Sequence, residues 1–197
     1  MTQKTASNIF DQTILSAAGL RSAVQKDEQR DTMASWDPAF CGDIDMRIAR
    51  DGSWHYMGSP IKRRALVRLF ARVLRREEDA YFLVTPVEKV GISVEDAPFV
   101  ATLVRQRVNG KHPEIEFTTN VGDSIIAGIN HPIEVWLDAE TEQPAPYVMV
   151  RNNLWALIAR QTFYQLVEWA ELVPRDGVSE LLLESSGQIF QLGEIVG

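Results

Sequence analysis

Residues 41–63, CGDIDMRIARDGSWHYMGSPIKR, hold a thiol, three carboxylates, an imidazole and a basic cluster within 23 positions. Their spacing sorts them into structure before chemistry. Ile44, Met46 and Ile48 alternate with Asp43, Asp45 and Arg47, the period of a strand with one buried face. Asp51-Gly52 is a two-residue hairpin signal, because a type I′ turn needs positive φ at both central residues. SWHYM returns as the second strand. Pairing across that turn sets Arg50 against Ser53, Ala49 against Trp54, Ile48 against His55, Arg47 against Tyr56 and Met46 against Met57. One face then carries Ile44, Met46, Ile48, His55 and Met57, and the other Asp45, Arg47, Ala49, Trp54 and Tyr56. A one-residue bulge in the turn would shift this register.

Working outward, residues 58–79 (GSPIKRRALVRLFARVLRREED) read as a helix with Ser59 as N-cap and Pro60 as first helical residue. Leu66, Leu69, Phe70, Val73 and Leu74 form its buried stripe. Strand-like runs follow at 79–86, 88–94, 99–108, 114–120, 123–129 and 132–137, with Asn109-Gly110 as a second hairpin turn. Residues 138–146 read as a surface loop, and PYVMV then leads into a second helix over 152–172, capped by Asn152 or Asn153. That helix is apolar on most of its circumference, as a central or interface helix would be. The chain ends in a hairpin turning at Ser185–Gly187. An amphipathic helix is expected over residues 8–28, followed by a polar linker.

The expected fold class is α+β, with two small packed units that each carry antiparallel hairpins and one helix, and with an N-terminal helix in front. The expected division is 1–35 for the N-terminal helix and linker, 36–98 for the first unit, and 99–197 for the second, β-rich unit. An echo between residues 54–74 and 146–167, each followed by a strand pair, leaves a structural repeat open.

Composition narrows the function. A chain of 197 residues can bury roughly 70% of its unfolded surface and needs no disulfide or metal to fold. One cysteine excludes an internal disulfide and a thiolate zinc cluster, and fits a reducing cytoplasm. No run reaches 18 apolar residues, so no membrane partner is expected. The net charge of −7 opposes nucleic-acid binding. It is uneven: residues 1–112 hold 17 Lys+Arg against 14 Asp+Glu, and residues 113–197 hold 3 against 13. Phosphate-loop and dinucleotide-binding glycine patterns are absent, as are H-E-x-x-H and Ser/His/Asp arrangements. No cofactor or metal is expected.

Each remaining reactive group has a bland reading. Asp43 and Asp45 share a strand face without a calcium-loop pattern. His55 sits among apolar neighbours, and His112 and His131 precede prolines. Cys41 lacks a cationic neighbour to activate it and is expected to be buried. The sharper signal is Lys62, Arg63 and Arg64 in the first turn of the first helix, where the macrodipole disfavours cations. Free N–H groups after Ser59 and guanidinium forks suit a phosphate or carboxylate. An acidic side chain from the negative C-terminal half would serve equally. Arg64, Arg68, Arg72 and Arg75 extend the basic stripe.

The elements W-x-P-x-x-C-G-D-I-D-M-R-I, D-G-S-W-H-Y-M-G-S-P-I-K-R, Y-F-L-V-T-P-V-E-K-V and V-E-D-A-P-F are similar to those of the bacterial domain-of-unknown-function family 1285. The resemblance runs from Trp36 to Leu192. It implies a two-part α+β fold built from repeated motifs and ligand binding or signal transduction, and it brings no catalytic residues. The leading expectation is therefore a cytosolic, non-enzymatic binding or regulatory module for a small anionic ligand or an acidic protein partner. Ser59, Arg63 and Arg64 would bind the anion, Trp54 and Tyr56 would wall the pocket unless they pack in the core under the neighbouring unit, and Glu88 would orient a basic side chain. The alternatives are a hydrolase or transferase using Asp43, Asp45 or Glu88, and a structural protein that forms a homodimer through its apolar second helix.

Overall fold

In the computed structural model, which describes residues 36–138, 143–175 and 177–196, the alternation at residues 40–48 makes strand β1 (Phe40–Ile48). The fold around it is mostly β. Fifteen strands and two helices make up the described residues, so the α+β expectation is corrected. The N-terminal helix expected over residues 8–28 lies outside them. The chain divides into two compact units: one runs to Ala49 and resumes over Ser53–Glu95, the other holds Arg50–Gly52 and continues from Asp96.

The first unit is a six-stranded sheet. Its strands are β1, β2 (Trp54–Tyr56), β3 (Ser59–Pro60), β4 (Leu74–Glu77), β5 (Ala80–Val84) and β6 (Lys89–Val94), with helix α1 (Arg64–Arg72) between β3 and β4. The order is β3-β2-β1-β6-β5-β4, antiparallel except for the central β1–β6 pair. The first turn uses three residues, not two: Ala49 N–H donates to the Ser53 carbonyl at 2.9 Å, so Arg50, Asp51 and Gly52 form the loop. Gly52 supplies the left-handed residue (φ +79°) that closes such loops. A Cβ there would also meet the Val100 side chain at 2.9 Å. The extra turn residue shifts the register to Ile48↔Trp54, Arg47↔His55 and Met46↔Tyr56. Every residue of the return strand therefore changes face. Trp54 joins Met46 and Ile48 in the core, each at most 1% exposed, and His55 faces the Arg47 side.

The expected helix over 58–79 is cut at both ends. Met57 and Gly58 both have positive φ (47° and 73°), and their turn folds Ser59-Pro60 back onto Tyr56 and His55 as β3. Pro60 is tolerated because β3 is an edge strand. At the other end, Leu74–Glu77 pairs with β5 across Glu78-Asp79, so the polar REED run is a tight hairpin rather than a helix end. Sheet pairing and the burial of Leu74 override helix propensity there.

On β4, Glu77 accepts from Lys89 Nζ at 2.9 Å and lies 3.4 Å from Arg75 Nη1, while Lys89 sits 5.1 Å from the Phe82 ring centre. The Lys89 hydrogen bond holds the Glu77 carboxyl below its ordinary range, against an opposing desolvation. A depressed carboxylate contributes stability above its unfolded pKa and loses it as pH falls through the folded one. Glu77→Gln should therefore destabilise at pH 7. The gap from wild type should close as pH falls below the ordinary glutamate value, read as urea midpoints across pH 3–7. A pH-independent gap would show that Glu77 acts by packing alone.

The second unit repeats this connectivity in its main sheet. β7 (Phe99–Asn109), β8 (His112–Thr119), β9 (Ser124–Ile126), β10 (Ile133–Leu137), β11 (Pro144–Arg151) and β12 (Leu154–Ile158) take the order β10-β11-β12-β7-β8-β9, again with a central parallel pair, β12–β7. Each six-stranded sheet is thus two three-stranded meanders joined through their first and last strands. The echo in the sequence is not this correspondence, because it aligned β2, β3 and α1 with β11, β12 and the helix after it.

The long second helix is corrected as well. Asn152 and Asn153 have φ of 43° and 61°, so they form a two-residue turn between β11 and β12 instead of a helix cap. Asn accepts this conformation more readily than most residues. LWALI then becomes β12, a continuous apolar run because a central parallel strand is covered on both faces. Only Arg160–Trp169 is helical (α2). Trp155, which the expected helix would have carried, is on β12 and buried in its own unit. A third sheet of β13 (Glu171–Arg175), β14 (Val178–Ser185) and β15 (Gln188–Val196) completes the unit. Its Ser185 is fully buried, accepting from Ile115 N–H at 2.9 Å and donating to the Ala127 carbonyl at 2.8 Å.

Candidate ligand-binding site

The expected binding corner follows from β2, β3 and the start of α1. Because the chain reverses at Met57-Gly58, Ser59 is an exposed strand residue and caps no helix. It is the cross-strand neighbour of Tyr56, which is half-buried. After β3, Ile61 N–H donates to the Trp54 carbonyl at 2.7 Å, and the helix begins only at Arg64. Arg63 is its N-cap, in extended conformation (φ −79°, ψ 100°), with no side-chain capping bond and no acid in the first turn.

The six predicted site residues therefore separate. Trp54 is 1% exposed and stacks on Phe70, with ring centres 6.0 Å apart, so it belongs to the core and walls no pocket. Tyr56 and Ser59 are neighbours. Arg63 and Arg64 are exposed at the helix start, with Lys62 just before it and Arg68 one turn on. None of these four side chains has an ion pair or hydrogen bond with a described residue. Glu88 sits elsewhere: it is half-buried in the turn after β5, its N–H bonded to Thr85 Oγ1 at 3.2 Å and its carbonyl accepting from Thr85 N–H at 2.9 Å. It orients neither Arg63 nor Arg64.

Asp43 and Asp45 are exposed, with the Asp43 carboxylate lying against Gly91 of β6. Cys41 is exposed rather than buried, its Sγ donating to the Ala39 carbonyl at 3.4 Å. His55 Nε2 is 2.9 Å from Ser53 Oγ. Among the described residues no group of three or more His, Cys, Asp or Glu is placed to hold a metal ion, and no helix is long and apolar enough to cross a membrane.

A second polar centre lies in the second unit, and sequence reading did not find it. Arg50 forms ion pairs with Asp138 and, at 3.3 Å, with Asp96, while the Tyr147 hydroxyl donates to Asp96 Oδ1 at 2.7 Å. The hydrogen bond that Arg50 donates to Asp138 holds the Arg50 pKa above its ordinary value. Burial, then donation to Asp96, pushes the Tyr147 phenol up, so it stays a donor. Trp136 stacks on Tyr147 at 4.3 Å and meets Trp155 edge-on at 4.8 Å. These rings pack against one another. Four residues drawn from positions 50, 96, 138 and 147 leave no local pattern in the sequence.

Comparison with known proteins bears on both units. The N-terminal domain of DUF1285, a domain of unknown function, matches residues 32–97, and the C-terminal domain of the same family matches residues 98–192. A crystal structure of a DUF1285 family protein from Silicibacter pomeroyi DSS-3 is 54% identical over 81% of this chain and 85% of that one, with a TM-score of 0.75. A second, from Shewanella baltica OS155, is 28% identical over 64% of this chain and 91% of that one, with a TM-score of 0.52. No curated protein matches the chain. With both domain models matched in order and 54% identity to a solved member over 81% of the chain, the chain belongs to the DUF1285 family.

Proposed function

We propose that the chain is a non-enzymatic binding module of the cytoplasm that accepts a small anion at the start of α1. One observation carries this reading: Lys62, Arg63, Arg64 and Arg68 are exposed and unpaired with any described residue, in a chain whose net charge is −7. Cations at the positive end of a helix are each disfavoured by about 0.3–1 kcal/mol, and a bound anion reverses that sign. The uncapped N–H groups of the first turn and the Arg63 and Arg64 guanidinium groups can both donate to it. Ser59, four residues before Arg63, and its cross-strand neighbour Tyr56 would complete a polar rim. An exposed free thiol at Cys41 supports a reducing location.

Thermal denaturation with inorganic phosphate, nucleotides and dicarboxylates tests the reading. At a ligand concentration 100 times Kd, stabilisation is about 2.7 kcal/mol. At about 2–4 °C per kcal/mol for a chain of this size, Tm should rise by several degrees. Arg63→Ala and Arg64→Ala should each remove most of that rise while leaving the ligand-free Tm within about 1–2 °C. No rise with any anion, or a rise unchanged in both variants, sinks it.

A further inference from the structure

We infer that the same cations form a docking surface for an acidic polypeptide segment in extended conformation. This rests on the anion-binding reading and names its partner. A single small anion needs two or three donors, whereas four unpaired cations run along seven consecutive positions, 62–68. Trp54, which would have walled a small-molecule pocket, is buried against Phe70, while all four cations are exposed.

Spacing favours an extended chain. Arg64 and Arg68 are one helical turn apart, about 6 Å along the axis. Lys62 and Arg64, across the extended Arg63, are about 6.6 Å apart. A strand presents alternate side chains every 6.6 Å or so, so Glu or Asp at every second position meets these cations in register. The neighbouring edge strand β3 offers only two residues, one of them Pro60 without an N–H, so recognition is by side-chain charge and not by strand addition.

A nucleic-acid strand is the lesser fit. Residues 61–68 hold no aromatic side chain to stack a base, Tyr56 of the rim is half-buried, and four cations are too few to offset the chain's net charge.

The test is fluorescence anisotropy of the full chain with a labelled (Glu-Thr)4 peptide, at 50 and 300 mM NaCl. Binding should weaken markedly at the higher salt, as an exposed charge contact must. Arg64→Ala and Arg68→Ala should each weaken it about 2- to 5-fold, since exposed pairs contribute up to about 1 kcal/mol. Arg68→Lys should retain it. A peptide with four consecutive Glu, of equal charge, should bind more weakly. The inference is overturned while the small-anion reading stands if phosphate stabilises through Arg63 and Arg64 but Arg68→Ala leaves peptide binding unchanged. Tighter binding of an eight-nucleotide oligo-dT than of the peptide overturns it in favour of nucleic acid. Absence of binding by phosphate and peptide alike overturns both.

Discussion

Trp54→Ala is expected to cost about 3–5 kcal/mol, whereas Trp54→Phe should stay within about 1.5 kcal/mol. The side chain is 1% exposed, lies opposite Ile48 across the first hairpin and stacks on Phe70 from α1. Alanine would leave a cavity under the helix that a rigid sheet cannot collapse to fill. Phenylalanine keeps the ring contact and removes an N–H that gains nothing, because Trp54 Nε1 is buried without a hydrogen-bond partner. Removing an unsatisfied buried donor recovers part of its desolvation cost, which offsets some of the lost packing. Urea denaturation gives both numbers. A loss below about 1 kcal/mol for Trp54→Ala, together with a changed response to anions, would return Trp54 to the pocket-wall role that its sequence position suggested.

How much of this was legible follows from what each signal encodes. The strand alternation at 44–48, the hairpin at 50–53 and the family motifs were readable because they are local. Register was not, since a three-residue loop and a two-residue loop both use Asp-Gly, and only the backbone distinguishes them. That single residue moved Trp54 from the strand face of Asp45 and Arg47 to that of Met46 and Ile48. The helices were over-read for a related reason. LWALI is compatible with a buried helix face or a fully covered strand, and periodicity cannot separate them. What decided it was the Asn152-Asn153 turn upstream and the parallel partner β7, which lies more than 40 residues away. Of the candidate site, the exposed cations were legible because charge is read directly. Trp54 and Glu88 were not, because their assignment depended on register and on a turn at Thr85–Lys89.

The polar centre around Arg50 has the second large expected effect. Its side chain is half-exposed, but its partners are not: the side chains of Asp138 and Asp96 are 7% and 17% exposed. Arg50→Ala leaves two largely buried carboxylates without their cation. Breaking a fully buried pair costs about 3–5 kcal/mol, and solvent at the exposed guanidinium screens part of that, so about 2–4 kcal/mol is expected. Arg50→Lys should recover less than half. Lysine restores the charge but cannot place Nε toward Asp96 and Nη2 toward Asp138 at once. Tyr147→Phe removes the donor to Asp96 Oδ1 and should cost about 1–3 kcal/mol. Because Asp96 takes its ion pair from Arg50 and its hydrogen bond from Tyr147, the two losses should not add. A double-mutant cycle should show a coupling of at least about 0.5 kcal/mol. Strict additivity, or an Arg50→Ala loss under about 0.5 kcal/mol, would mean that the carboxylates are solvated well enough to stand alone, and that the aromatic packing of Trp136 on Tyr147 holds this part of the unit by itself.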